Sequence, residues 1–237
     1  MRNTTFSITP LGDSAVMIEW AQQINPIIHA QVMQAFHHLQ FLQLPYITDL
    51  IPAYASLAVL YDAVRIRQEV KRPAKAWISA FITKALQEIT GTAGVPAPGR
   101  SLEIPVCYHP SLAPDLTTLA QQKGLSEEAV IALHTAPTYT VYMLGFLPGF
   151  PYMGTVNAQL ATPRLKQPRT QVPAGSVGIA GEQTGIYPLP SPGGWNIIGQ
   201  TPLRLFDADR ADPCYCRPGD QVRFVPISLE AYTKQLS

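Results

Sequence analysis

The sequence predicts two folded units: an α+β two-layer N-terminal domain, then a mainly-β domain of the barrel or sandwich kind. Three observations lead there. Before residue 90, strand-like pairs alternate with helical patterns. Gly91-Thr-Ala-Gly-Val-Pro-Ala-Pro-Gly99 is Gly/Pro-rich, uncharged and free of aromatics, which is the composition of a linker. From Tyr139 onward, short apolar runs are separated by tight-turn signals. The boundary therefore falls between a first domain of residues 1–98 and a second of residues 99–237.

In the first domain, Thr5-Phe-Ser-Ile-Thr9 and Ala15 to Trp20 read as strands joined by the turn Leu11-Gly-Asp-Ser14. Asn25 can cap a helix and Pro26 fits its first turn, and Ile27, Ile28, Val32, Ala35, Phe36 and Leu39 then follow helical spacing. Ile47 to Ile51 and Ser56 to Tyr61 form the second strand pair, and one helix is expected over residues 67–89, started near Pro73. In the second domain, Leu102 to Tyr108 is a strand. Asp115 to Lys123 is a helix ended by Gly124, and Ser126 caps the next, with Glu127 and Glu128 in its first turn. Further strands are expected at residues 139–144, 177–180, 185–189, 195–199, 203–206 and 221–226.

Composition narrows the function. Charged residues make up 14% of the 237, against about 25% in an ordinary globular chain, and the net charge is +1. No basic field argues for nucleic acid, and no acidic run argues for disorder. No signal peptide and no run of membrane-spanning length is expected, and three sparse cysteines suit reduced thiols in a cytoplasmic protein. Cys214-Tyr-Cys216 lacks the further ligands zinc requires, so no metal site is expected.

The low charge is concentrated. From Pro137 to Gln200 only Arg164, Lys166, Arg169 and Glu182 are charged. A surface so poor in charge is expected to be covered by a ligand, a partner protein or the other domain. The three bases become candidates for a carboxylate or phosphate, or else pair with distant acids such as Asp207 or Asp209. Glycine-bearing turns at Pro148–Pro151, Pro173–Gly178 (with Gly175 and Ser176) and Ser191–Trp195 (with Gly193 and Gly194) could supply backbone N–H donors or simply turn barrel corners. His134 and Tyr139 frame a helix-to-strand turn. They could donate a proton or hydrogen bond, or His134 could complement the helix dipole. Phe146, Phe150, Tyr152 and Trp195 could line an apolar groove, with Trp195 a platform or a core plug. Walker A, Rossmann, GxSxG and HExxH patterns are absent.

His134, Tyr139-Thr-Val, Gly145-Phe-Leu-Pro-Gly-Phe-Pro-Tyr152, Thr162-Pro-Arg164, Pro168-Arg169, Val172-Pro-Ala-Gly-Ser-Val-Gly-Ile179, Gln183-Thr-Gly-Ile-Tyr-Pro188, Ser191-Pro-Gly-Gly-Trp195 and Pro218-Gly-Asp-Gln-Val-Arg-Phe224 together resemble one family. It is the allophanate hydrolase subunit 1 family, which includes KipI and the B component (PxpB) of bacterial 5-oxoprolinase. Leu11-Gly-Asp-Ser-Ala15 and Ile51-Pro-Ala-Tyr extend the resemblance into the first domain. The resemblance implies an α+β (ferredoxin-like) N-terminal domain and a cyclophilin-like β-barrel domain. It implies assembly with a homologous, larger PxpC-like component and with a PxpA-like component, and ATP-dependent hydrolysis of 5-oxo-L-proline to L-glutamate. ATP is then expected at a composite site, with Mg held through the partner. Two other activities occur in the same family: a KipI-type histidine kinase inhibitor, and a carboxyltransferase component of a urea carboxylase/allophanate hydrolase system.

Overall fold

The structure, a computed structural model, describes residues 6–89 and 99–236; Met1 to Thr5 and the 91–98 part of the expected linker lie outside them. The chain divides into two compact units, Met1–Pro98 and Gly99–Ser237.

The first unit runs β1 (Ser7–Pro10), β2 (Ala15–Glu19), α1 (Pro26–Phe41), β3 (Ile47–Pro52), β4 (Ser56–Tyr61), α2 (Ala63–Glu69) and α3 (Ala74–Gln87). Its antiparallel sheet has the order β1-β2-β4-β3. Alternation puts Val16, Ile18, Leu57 and Val59 inward, where they meet Val32 and Leu39 of α1 and Ile78 and Ile82 of α3. Asn25 caps α1 by accepting from the Ile27 N–H at 2.8 Å. The single helix expected over 67–89 is in fact two. Asp62 caps a separate α2, which starts before Arg67. Lys71 then takes a positive φ of 57°, and Pro73, with no N–H to give, opens α3.

The second unit runs β5 (Ser101–Cys107), α4 (Leu116–Lys123), α5 (Glu127–Thr135), β6 (Tyr139–Leu144), β7 (Pro151–Gly154), β8 (Arg169–Val172), β9 (Ser176–Ala180), β10 (Gln183–Ile186), β11 (Ser191–Gly193), β12 (Asn196–Gln200), β13 (Gln221–Ile227) and α6 (Leu229–Leu236). Seven strands close a barrel in the order β10-β7-β6-β13-β5-β12-β9, while β8 and β11 pair as a separate ribbon. Every barrel pairing is antiparallel except β5 with β13. Ile104, Val106, Val141, Met153, Val177, Ile179, Ile186, Ile198 and Val222 fill the interior, sealed by Leu116, Leu119 and Val130 from α4 and α5. Closure removes the open edges a sheet would otherwise present.

This closure explains most of the charge-poor window. The barrel strands between Tyr139 and Gln200 are largely buried, while the β8–β11 ribbon is partly exposed, so much of the segment needs no outside cover. Residues 203–206, expected as a strand, form only a bridge from Phe206 to Cys214. The short β7, β8 and β11, and the helix α6, have no counterpart among the expected elements. Three or four residues starting at proline, or carrying one, give no readable alternation.

Candidate functional site

The cationic segment is fastened on both sides of Arg164. The Thr162 N–H donates to the Gly181 carbonyl at 3.1 Å, and the Gly181 N–H returns the bond at 2.6 Å. The Asn196 side-chain amide donates to the Pro163 carbonyl at 2.9 Å. The Leu165 N–H donates to the Gly194 carbonyl at 2.7 Å. At the far end, Arg169 lies opposite Gly193 in the β8–β11 ribbon. The segment therefore sits against the Ser191–Trp195 turn.

The three bases are not equivalent. Arg169 donates through Nη2 to Asp115 Oδ1 at 2.5 Å. The other Asp115 oxygen accepts the Ile197 N–H at 2.6 Å, so a 9%-exposed carboxylate ties the start of α4, strand β12 and Arg169 together. Arg169 Nη1 is buried without a hydrogen-bond partner among the described residues. The acid serving Arg169 is Asp115, while Asp207 pairs instead with Arg204 at 3.1 Å. Arg164 and Lys166 are exposed and make no hydrogen bond or ion pair among the described residues, and Glu182, the sole acid of the window, pairs with neither. Two uncompensated cations on a fastened loop can bind an anion without first breaking an internal salt bridge.

Beneath the loop lies an aromatic floor. Phe150 meets Tyr187 edge-on at 5.2 Å, Trp195 at 5.3 Å and Tyr152 at 4.8 Å between ring centroids. Phe150, Tyr187 and Trp195 are buried, so Trp195 is a core plug, Tyr152 is half-buried, and Phe146 is 63% exposed. Phe146 has a φ of +65° and is the centre of a γ-turn in which the Leu147 N–H donates to the Gly145 carbonyl at 2.7 Å. Its ring stands edge-on to Phe150 at 5.8 Å and to Tyr187 at 6.5 Å. Tyr187 carries the polar end of this floor. Burial pushes its phenol pKa up, opposed by the nearby Trp195 backbone N–H and by the fields of Arg164 and Arg169. In the sequence, Tyr187 is visible only inside a motif, and Asp115 only as the start of a helix; neither stands out there as a site residue.

The glycine turns divide by what their N–H groups do. The Gly175 N–H donates to the Tyr187 carbonyl at 2.7 Å and the Ser176 N–H to the Pro173 carbonyl at 3.3 Å, so neither of these two is left to offer an anion. Gly175 is needed for its φ of +79° and because a Cβ would strike the Thr201 carbonyl oxygen. The Gly194 N–H, by contrast, makes no hydrogen bond among the described residues. Gly193 stands so close to Tyr187 that a Cβ would fall 2.8 Å from the ring.

His134 and Tyr139 lie elsewhere, fully buried in the barrel core. The Thr184 hydroxyl gives its proton to the Gly178 carbonyl at 3.1 Å, so its oxygen must accept from His134 Nε2–H at 3.0 Å. Nδ1 then accepts the Tyr108 O–H at 2.9 Å. The imidazole is neutral, stacked on Phe224 at 4.6 Å, and burial lowers its pKa to about 3. The Tyr139 O–H donates to the His134 carbonyl at 2.8 Å, and burial raises its pKa. This corrects the expectation that either meets substrate: with no exposed surface and their polar atoms engaged, they hold α5 to the barrel. Cys107 and Cys216 are buried and Cys214 is partly so; burial pushes the Cys216 thiol up to about 12. Among the described residues no group of three or more His, Cys, Asp or Glu could hold a metal, and no helix is long and apolar enough to cross a membrane.

A closed seven-stranded barrel with covering helices, preceded by a ββαββαα unit, defines an α+β plus cyclophilin-like barrel protein, here bearing an exposed loop with two unpaired cations. Residues 6–216 match the family described as the carboxyltransferase domain, subdomain C and D, and the chain belongs to that family. It is 42% identical over 231 residues to the B component of 5-oxoprolinase from Bacillus subtilis (strain 168), covering 96% of this chain and 95% of that one. It is 39% identical over 216 residues to the protein of the same name from Escherichia coli O157:H7, covering 91% and 94%. The crystal structure of TTHA0988 superposes with a TM-score of 0.77 at 36% identity, over 90% of this chain but 40% of that longer one. The Kluyveromyces lactis urea carboxylase shares the fold, with a TM-score of 0.73 at 19% identity over 97% of this chain and 22% of that one.

Proposed function

We propose that this chain is the B component (PxpB) of an ATP-dependent 5-oxoprolinase that hydrolyses 5-oxo-L-proline to L-glutamate. It would act with a homologous, larger PxpC-like component and with a PxpA-like component, in the cytoplasm. The observation that carries the reading is the uncompensated pair Arg164 and Lys166 on a fastened loop, in a chain whose near full-length relatives bear that name. The substrate carries a carboxylate, and the loop offers it a guanidinium fork, an ammonium and the open Gly194 N–H. ATP, when bound, supplies a phosphoryl group that makes a resonance-stabilised lactam oxygen a leaving group. The residues here suit an anion and not a divalent cation, so magnesium would draw its ligands from the partner. This chain's contribution is to bind and orient: Arg164 and Lys166 hold negative charge, and Phe146 and Tyr152 offer ring surface beside it. That TTHA0988 holds the matching region within a longer chain is in keeping with a unit that works joined to further protein.

Co-expression with the genes adjoining its own, purification of any complex, and measurement of glutamate released from 5-oxo-L-proline with and without ATP is the test. A complex that releases glutamate only with ATP is the expected result, with the isolated chain inactive. Turnover requiring bicarbonate and biotin would replace this reading with the carboxyltransferase one. Binding to a histidine kinase dimerisation domain without any turnover would replace it with the inhibitor one.

A further inference from the structure

We infer that the Tyr187 hydroxyl and the Arg164 guanidinium form one anion subsite, in which Tyr187 donates its proton to an anionic oxygen and Arg164 pairs with the same group. The ligand is a small oxyanion, a carboxylate or a phosphate; its assignment to the carboxylate of 5-oxo-L-proline rests on the function proposed above. Tyr187 is 1% exposed, its hydroxyl makes no hydrogen bond among the described residues, and that oxygen is not one of their fully buried unpaired polar atoms, so it reaches the surface at its tip. A phenol hydroxyl with no partner inside the protein has its proton free to give to a ligand. The hydroxyl lies against Gly193, and the next residue, Gly194, accepts the Leu165 N–H at 2.7 Å, which fixes Arg164 one residue away. Because burial raises the phenol pKa, Tyr187 remains a donor at neutral pH. Arg169 differs from Arg164 in being anchored through Nη2 to Asp115, with its remaining Nη1 buried. At Gly193 any side chain would strike the Tyr187 hydroxyl, so this close contact requires glycine.

Isothermal titration of the full chain, and of its co-expressed complex, with 5-oxo-L-proline, its neutral carboxamide and inorganic phosphate tests this. The proteins are wild type, Y187F and R164Q, with folding checked by circular dichroism. Each charge-assisted hydrogen bond is worth about tenfold to a hundredfold in affinity. Both variants should lose that much for 5-oxo-L-proline, while carboxamide binding stays the same in all three proteins. If the loss appears for phosphate and not for 5-oxo-L-proline, the subsite stands with phosphate as its occupant. If both variants bind both anions as wild type does, or if no anion binds wild type, the inference is overturned, even where the complex still hydrolyses 5-oxo-L-proline. Variant-sensitive anion binding in a complex that does not release glutamate would instead sink the functional reading and leave the subsite.

Discussion

Acid should unfold this protein through a histidine that the sequence presents as a candidate catalyst. His134 has an ordinary pKa near 6.5 when unfolded and about 3 when buried beside Tyr108, Thr184 and Phe224. Between those values the unfolded chain binds a proton that the folded one refuses. The stability tied to the neutral ring is therefore complete above about pH 6.5 and drains away as pH falls towards 3. At pH 5 the gap is roughly 1.5 pKa units, or about 2 kcal/mol, and the whole shift sets a ceiling of about 5 kcal/mol. His134→Gln removes the titrating group and leaves every other acid-sensitive residue in place. Urea unfolding at pH 7.5, 6 and 5 should show the variant less stable at pH 7.5, by about 2–4 kcal/mol, for two disturbed buried hydrogen bonds and imperfect packing. Its deficit should then narrow by about 2 kcal/mol at pH 5. A deficit that stays constant with pH would refute the reasoning. It would mean that His134 titrates normally in the folded state, hence reaches water, and a role in proton transfer would reopen.

Asp115→Ala strips the acceptor from both Arg169 and the Ile197 N–H and should cost about 2–4 kcal/mol in chemical denaturation, at the low end for a buried pair because Arg169 is 31% exposed; a loss under 0.5 kcal/mol would show the link to be incidental. Phe146→Gly relieves a positive φ at the cost of a mostly exposed ring, so it should raise the melting temperature by a few degrees while lowering complex activity; a lower melting temperature would mean that packing on Phe150 and Tyr187 outweighs the strain. Gly193→Ala should cost about 1–3 kcal/mol and weaken anion binding more than tenfold, since its Cβ must displace the Tyr187 ring; thermal shift and titration on one preparation check both.

Local chemistry is readable from the chain alone wherever one or two residues decide the outcome. Asn25-Pro26 starts α1, Gly124 at φ +66° ends α4, and Ser126 caps α5, because each acts through its own backbone or a neighbour three residues away. The cationic loop is legible too, since unpaired bases among uncharged residues stand out in any window. What the chain does not disclose is which distant groups meet. Asp115 reaches Arg169 across 54 residues, and Tyr187 reaches the Arg164 loop only because the Gly193–Gly194 turn lies between them. His134 looks available and is sealed, since its partners Tyr108, just past β5, and Thr184, in β10, lie 26 and 50 residues away. Charge scarcity, which in the sequence points to outside cover, follows mostly from barrel closure. Sequence set the elements and the reserve of positive charge; only the folded barrel, by burying some polar groups in pairs and leaving others with a bond to give, decided which of them can meet a ligand.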